Sequence, residues 1–155
     1  MENKDIKIGK GLGKLTFGNS RDYVLKALGK PTEKEVYNAS EDDDYQTEDW
    51  HYDDIEVSLS FDEEDNWKLT TIATSSAQIS LGGKFLIGLS LEETMKETEK
   101  MELGENMLED FSEGNENTKL VSYPNSGLNL WFEDDELSEI QFAVLWKDED
   151  KPDWP

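Results

Sequence analysis

The chain contains no cysteine and only one histidine, His51, among its 155 residues. The absence of cysteine excludes disulfides, thiolate metal ligands and an acylated cysteine. No stretch approaches the roughly 20 apolar residues that cross a bilayer, and the charged N-terminus leads into no apolar signal core. We therefore expect a cytoplasmic protein.

Basic residues are also scarce, with 15 Lys and Arg against 37 Asp and Glu, a formal net charge of −22 at pH 7. Such a field repels phosphates and anionic lipids, so neither nucleic acid nor a membrane is expected as a partner. It attracts a basic protein and accelerates the encounter with it. Solubility, or adaptation to a salty cytoplasm, explains the same charge equally well. The aromatic content of 10% nevertheless predicts a folded chain, because highly charged disordered chains are poor in aromatic residues.

A short helix is predicted after Gly18, because Ser20 is a good N-cap, Gly29 provides a left-handed C-terminal turn and Pro31 prevents continuation. The three alternate glycines before it, at positions 9, 11 and 13, match no phosphate-binding loop and indicate a turn or a bulge. Residues 32–47 are polar and predict an exposed loop.

Strict alternation predicts the strands that follow. Ile55, Val57, Leu59 and Phe61 alternate with polar residues, which is typical of a half-buried strand. A shorter alternation around Trp50 predicts a strand before it, and residues 67–75 predict the returning strand of a hairpin. The first part of the chain thus reads as a helix followed by an antiparallel hairpin sheet.

The same pattern recurs later in the chain. Gly88-x-Ser90 repeats the helix start 70 residues on (88 − 18), and a helix through about Met101 follows, with a second short helix over residues 105–111. Four apolar strand positions recur in order at a shift of 71, namely Tyr123, Leu128, Leu130 and Phe132. We predict one domain over residues 1–155, with repeat one at about 6–76, repeat two at about 77–147 and a frayed tail at 148–155. The predicted fold class is α+β, a tandem duplication with the helices on one face of a continuous curved sheet.

The run from Gly18 to Pro31, followed by Trp50-x-Tyr52 and an alternating strand that ends at Phe61, resembles the repeat shared by two known groups. These are the beta-lactamase inhibitor protein family and the small outer-membrane lipoprotein of the barrel-assembly machinery. The resemblance implies a helix-loop-helix on a four-stranded antiparallel sheet in each unit. Tandem units in the inhibitors form a concave sheet that grips a partner protein, so the resemblance also implies a mode of binding.

No catalytic, cofactor-binding or metal-binding residue is predicted. His51 is a lone histidine within a strand, and Ser58 or Ser60 would be a nucleophile without a strained elbow. The acidic runs at 42–44 and 62–66 lack the glycine-centred spacing of an EF-hand and are expected to be solvated tips, with weak cation binding as the alternative.

The face of the sheet that points away from the helices is the predicted partner-binding surface. Trp131 is its most informative member, because tryptophan is a preferred anchor at protein interfaces. The alternative is that Trp131 packs under a loop or in a dimer. The predicted partner-binding residues are His51, Glu56, Ser58, Ser60, Thr71, Asn129, Trp131, Glu139, Gln141 and Leu145.

Two hypotheses of function follow. The first is a monomeric, non-catalytic inhibitor or immunity-type protein that binds a basic partner, such as a toxin, through this face. The second is a homo-oligomeric assembly or scaffold protein that uses the same face.

Overall fold

A computed structural model describes residues 4–38, 41–42, 44–149 and 151–155. The protein is mostly β, with about 43% of the described residues in strands or β-bridges and 18% in α- or 3₁₀-helices. Two α-helices and twelve strands occur in these ranges, in the chain order β1 (Asp5–Lys7), β2 (Gly11–Leu12), β3 (Leu15–Thr16), α1 (Arg21–Leu28), β4 (Glu33–Asn38), β5 (Gln46–Tyr52), β6 (Val57–Asp62), β7 (Lys68–Thr74), β8 (Ser80–Leu81), α2 (Leu91–Glu99), β9 (Met107–Asp110), β10 (Thr118–Tyr123), β11 (Leu128–Glu133) and β12 (Glu136–Ala143).

The strands form two sheets. The larger sheet has eight strands in the order β4-β5-β6-β7-β12-β11-β10-β9, and all its neighbours are antiparallel. The smaller sheet has four short strands in the order β3-β2-β1-β8, and its β1–β8 pair is parallel. We call β4–β7 with α1 the first half, and β9–β12 with α2 the second half.

The two halves share backbone details as well as element order. Gly18 N donates to Leu69 O at 2.9 Å, and Gly88 N donates to Leu137 O at 2.9 Å. The pairing shifts register after Ser60 in β6 and after Trp131 in β11, positions that are 71 residues apart (131 − 60). Each half is therefore a four-stranded meander, and the two meet at the β7–β12 pair.

Both helices begin at the serines that the sequence indicated. Ser20 accepts a hydrogen bond from Tyr23 N at 3.1 Å, and Ser90 accepts one from Glu93 N at 3.1 Å. The Glu93 side chain returns a bond to Ser90 N at 3.1 Å, which completes a capping box. Neither described helix is long and apolar enough to cross a membrane.

The core lies between the larger sheet and the helices with the smaller sheet. One cluster of buried residues joins Val24 of α1, Leu12 of β2, Leu59 of β6 and Leu130 of β11, each no more than 1% exposed. Their burial removes apolar side chains from water, which is the main favourable contribution to folding. Seven of the eight inward strand positions predicted from alternation are part of this cluster. Ile55, which was predicted in the same strand as Val57, lies instead in the 3₁₀ turn Asp53–Ile55 and is partly buried against the cluster.

The predicted fold class was wrong. The chain is a mostly β protein with an eight-stranded antiparallel sheet and a second sheet, not a helix-rich α+β duplication. Residues 33–38, predicted as loop, form β4, and residues 107–110, predicted as helix, lie in β9. Both are edge strands whose side chains are all exposed, so they carry no alternation of burial that a sequence could show. These two strands form because the backbone of β4 pairs with β5 and the backbone of β9 pairs with β10.

The turns predicted at the alternate glycines are present at Gly9 and Gly13, whereas Gly11 lies in β2. These turns connect β1, β2 and β3 of the smaller sheet, which the sequence did not predict, and the C-terminal tail also differs from expectation. The tail folds back on the body, where Trp154 is partly buried against the core and Lys68 Nζ lies 5.2 Å from its ring centroid. Asp153 N donates to Leu145 O at 2.6 Å, so the tail is held by main-chain contacts as well.

Candidate partner-binding face

The outer face is the surface of the larger sheet opposite the core. One cross-strand row of this face runs through His51, Ser58, Ala73, Gln141 and Asn129, which are paired in register from β5 to β11. These five residues are partly exposed, whereas their neighbours along each strand are buried. Four of the five belong to the predicted partner-binding set.

An open groove of about 360 Å³ lies on the first half of this face and reaches β12. We call it the acidic groove, and its lining is Tyr37, Thr47, Asp49, His51, Ser58, Ser60, Asp62, Thr71, Ala73, Glu139 and Gln141. Six of these were among the predicted residues. The structure adds Asp49 and Asp62, which share the strand parity of His51 and Ser60 and could have been selected on that signal.

Asp49 is held in place by two hydroxyl groups. Ser60 Oγ donates to Asp49 Oδ1 at 2.7 Å, and Tyr37 Oη donates to Asp49 Oδ2 at 3.0 Å. Burial of the phenol, followed by the negative charge of Asp49, raises the pKa of Tyr37 to about 12, so Tyr37 remains a donor. The carboxylate is thus oriented before any ligand arrives.

Asp62 is held in a similar way in the neighbouring outward-facing row of the groove. Thr47 Oγ1 donates to Asp62 Oδ1 at 2.7 Å, and Thr70 Oγ1 donates to Asp62 Oδ2 at 2.6 Å. Thr70 is the extra residue at the register shift in β7, opposite Ser60 and Phe61. The bulge therefore positions a hydroxyl group on this carboxylate, a role typical of bulges beside functional surfaces.

His51 lies between a hydroxyl and a carboxylate. Its Nδ1 is 2.8 Å from Ser58 Oγ, and its Nε2 is 3.4 Å from Glu35 Oε1. The sequence did not predict this row of three, because Glu35 fell in the supposed loop. Although the order resembles a nucleophile, base and orienting acid, the nearby carboxylates would oppose the negative oxyanion of acyl transfer. The same carboxylates favour a bound cation.

Glu139 lies where the acidic groove meets the second half. Burial raises the pKa of its carboxyl group, the charge of Glu133 adds to the rise, and a hydrogen bond with Gln141 opposes it. A positive group from a ligand would relieve this penalty.

The second half carries an apolar patch on the same face, formed by Phe111, Leu120 and Trp131. The Phe111 and Trp131 rings lie 5.8 Å apart between centroids, and Trp131 Nε1 donates to Gln141 Oε1 at 3.1 Å. Leu120 pairs with Trp131 across β10 and β11 and is only 8% exposed. Phe111 is 49% exposed, so the patch is open to solvent on that side. The sequence identified Trp131 and missed Phe111, whose segment it assigned to a helix.

Two predicted residues lie outside the strands of this face. Glu56 ends the 3₁₀ turn Asp53–Ile55 in a left-handed conformation before β6 begins, and it lines an open pocket at the border of the face with Ser58, Ala73 and Glu139. Leu145 lies beyond β12 and close to Gly9 and Gly127, because a Cβ on those glycines would come within 2.8 Å and 3.2 Å of Leu145 methyl carbons. Strand parity fails for both, since neither residue is in a strand.

No group of three or more histidine or acidic side chains in the described residues could hold a metal ion. The acidic run 62–66 begins at Asp62, whose carboxylate oxygens bind threonine hydroxyl groups instead. Asp43, in the run 42–44, lies outside the described residues.

No family model and no curated protein matches this chain. Among solved structures, an extracellular protein containing a SCP domain from Bacillus anthracis str. Ames is similar, with 16% sequence identity and a TM-score of 0.44. The match covers 89% of this chain and 49% of that one, so the chain spans about half the length of this neighbour. A likeness this weak carries no inference about fold or function.

Proposed function

We propose that this chain is a non-catalytic protein-binding module, of the inhibitor or immunity type, whose outer face binds a basic segment of a partner protein. The observation that carries the proposal is the acidic groove. Its lining includes the carboxylates of Asp49, Asp62 and Glu139, and no lysine or arginine is among the described residues that line it.

The hydrogen bonds to the carboxylates of the acidic groove favour a role in binding over a role in solubility alone. The four oxygens of Asp49 and Asp62 each accept a bond from a hydroxyl group, so both carboxylates are oriented in advance. Pre-oriented groups lose less side-chain entropy when a ligand binds. Solubility alone requires charge but no such orientation.

The same charges disfavour self-association through this face. In a two-fold contact of this face, the acidic groove of one copy would lie against either the acidic groove or the apolar patch of the other. The first arrangement opposes carboxylates to carboxylates, and the second buries carboxylates without a positive partner, so both are unfavourable. We therefore favour a monomer over the homo-oligomeric scaffold, and light scattering at micromolar concentration distinguishes the two.

The test is capture of a partner from lysate by immobilised protein, with the captured protein identified by mass spectrometry. Asp49→Asn removes one negative charge from the groove and keeps a side-chain oxygen for Ser60. Asp53→Asn removes the same charge at an exposed position in the 3₁₀ turn and is the matched control.

We expect a basic protein to be captured, with affinity for Asp49→Asn at least about thirtyfold weaker than for Asp53→Asn, since truncating a charged contact in an interface costs about 2 kcal/mol or more. Raised salt should slow association. Capture of an acidic or neutral protein, or equal loss in the two variants, would show that the groove does not recognise positive charge.

A further inference from the structure

The two halves of the outer face differ most at equivalent positions. Asp49 and Ser60 form a hydrogen-bonded pair across β5 and β6 at 2.7 Å. The positions 71 residues later are Leu120 and Trp131, which pair across β10 and β11. The same backbone site therefore presents an anionic surface in the first half and an apolar one in the second.

We propose that the outer face recognises an extended peptide segment with two anchors, a basic side chain over Asp49 and an apolar side chain over the apolar patch. This inference rests on the proposed function and specifies the segment of the partner. Charge complementarity identifies the first anchor, and the exposed Phe111 beside Trp131 identifies the second. Tryptophan in such a setting is a preferred contact for an inserted apolar group.

The register of the sheet sets the spacing of the two anchors. The nearest positions of the two anchor sites are Ser60, which donates to Asp49, and Trp131. They are three strands apart in the order β6-β7-β12-β11, and Trp131 lies four residues further along the strands. Asp49 lies one strand beyond Ser60, about 4.8 Å further, a distance that a long basic side chain spans. With strands about 4.8 Å apart and about 3.3 Å per residue, the separation is about 14 Å across and about 13 Å along, or about 20 Å on the diagonal. An extended segment covers that distance in about six residues.

The number of residues between the two anchors also decides whether both side chains face the sheet. In an extended chain successive side chains point to opposite sides, so residues six apart face the sheet together and residues five apart do not. Ala73, which lies between the two anchor sites, has a small side chain that lets a peptide backbone approach.

The experiment is a titration of ¹⁵N-labelled protein with synthetic peptides built on a Gly-Ser background. One peptide carries Arg and Leu six residues apart, and a matched control carries the same residues five apart. Two further controls each lack one anchor. The reporters are the Ser60 amide for the groove and the Trp131 indole N–H for the patch.

We expect the six-residue spacing to shift both reporters on one binding curve, at an affinity about tenfold above that of either single-anchor peptide, because the second contact becomes intramolecular. Asp49→Asn should remove the advantage of Arg, and Trp131→Ala should remove the advantage of Leu. The five-residue spacing should bind more weakly than the six.

Each contrary result has a distinct meaning. If the Arg-only peptide binds as tightly as the two-anchor peptide, the second anchor is wrong while the basic partner of the proposed function remains. If the Leu-only peptide binds as tightly and Ser60 does not shift, both proposals are wrong. If no peptide shifts either reporter at about 1 mM, a binding energy of about 4 kcal/mol is excluded and the two-anchor inference is wrong, whereas the proposed function is decided by protein capture.

Discussion

Gly127 offers the sharpest test of the backbone geometry, because replacing it with alanine combines two separate costs. Gly127 follows the 3₁₀ turn Pro124–Ser126 with φ 59 and ψ 33, in the left-handed region. A residue with a Cβ pays roughly 1–2 kcal/mol there, and alanine recovers about 0.4–1 kcal/mol by restricting the unfolded chain. Conformation alone should therefore lower the free energy of unfolding by about 1 kcal/mol.

The second cost is steric. A Cβ at Gly127 would lie 2.9 Å from the backbone oxygen of Ala143. Ala143 N also donates to Gly127 O at 2.9 Å, so the two segments cannot separate without losing that bond. Overpacking of this kind costs about 1–3 kcal/mol. The total for Gly127→Ala is therefore about 2 kcal/mol or more, which lowers Tm by about 4–8 °C for a domain of this size.

The assay is urea denaturation followed by tryptophan fluorescence and circular dichroism. Gly114→Ala is the matched control, because Gly114 has φ 60 and a Cβ there would meet nothing within 4 Å. It carries the conformational cost without the steric one. Equal destabilisation of the two variants would refute the close approach at Ala143, and no loss in either would refute the left-handed geometry.

Three further predictions concern stability. Glu56→Gly should raise the free energy of unfolding by about 0.5–1 kcal/mol in the same urea assay, because Glu56 holds the left-handed position equivalent to Gly127 with φ 54. Ser20→Ala and Ser90→Ala should each lower it by about 1 kcal/mol, and no change in either would contradict the observed caps. Since burial raises the folded pKa of Glu139, the native state binds more protons than the unfolded state and loses stability as pH rises above the ordinary value of 4.5. Glu139→Gln should therefore be more stable than the wild type at pH 7, and the difference should disappear below about pH 4; an advantage that persists there would contradict this cause.

Alternation of apolar residues predicted the central strands well. Val57, Leu59 and Phe61 are each no more than 2% exposed, as are Leu128, Leu130 and Phe132 of β11. Strands buried on one face leave a period of two in the sequence, because successive side chains alternate between core and solvent. The helix starts were predictable for a similar local reason, since Ser20 and Ser90 satisfy amide groups only a few residues away.

The edges and the smaller sheet could not be predicted in this way. The side chains of β4 and β9 are exposed on both faces, so their sequences show no apolar alternation that would indicate a strand. In the smaller sheet, β1 pairs with β8 in parallel across more than seventy residues of chain, and β8 has only two residues. Such pairing depends on the whole fold and leaves no local pattern.

Only part of the candidate face could be predicted, because some of its residues belong to segments whose strands were missed. Parity identified His51, Ser58 and Ser60, but the orientation of Asp49 depends on Tyr37, whose segment was assigned to a loop. The contribution of Phe111 to the apolar patch likewise depends on the pairing of β9 with β10. Tyr37 lies on the missed edge strand β4 and Phe111 directly follows the missed edge strand β9. The wrong assignment of these two segments therefore left both anchor sites incomplete in the predicted binding surface.

The acidity of the chain acts in two ways, as a long-range field of the net charge and as direct contacts of the carboxylates in the acidic groove. The net charge of −22 produces a field that salt screens within about 10 Å and that mainly affects the rate of encounter. Asp49 and Asp62 act at contact distance, where hydroxyl groups already orient them. The second half keeps the same bulge and backbone bonds but has Leu120 and Trp131 where the first has Asp49 and Ser60. Since that backbone accommodates either pair, the polar pair is not a requirement of the fold, and this difference is what makes the outer face suited to an asymmetric partner.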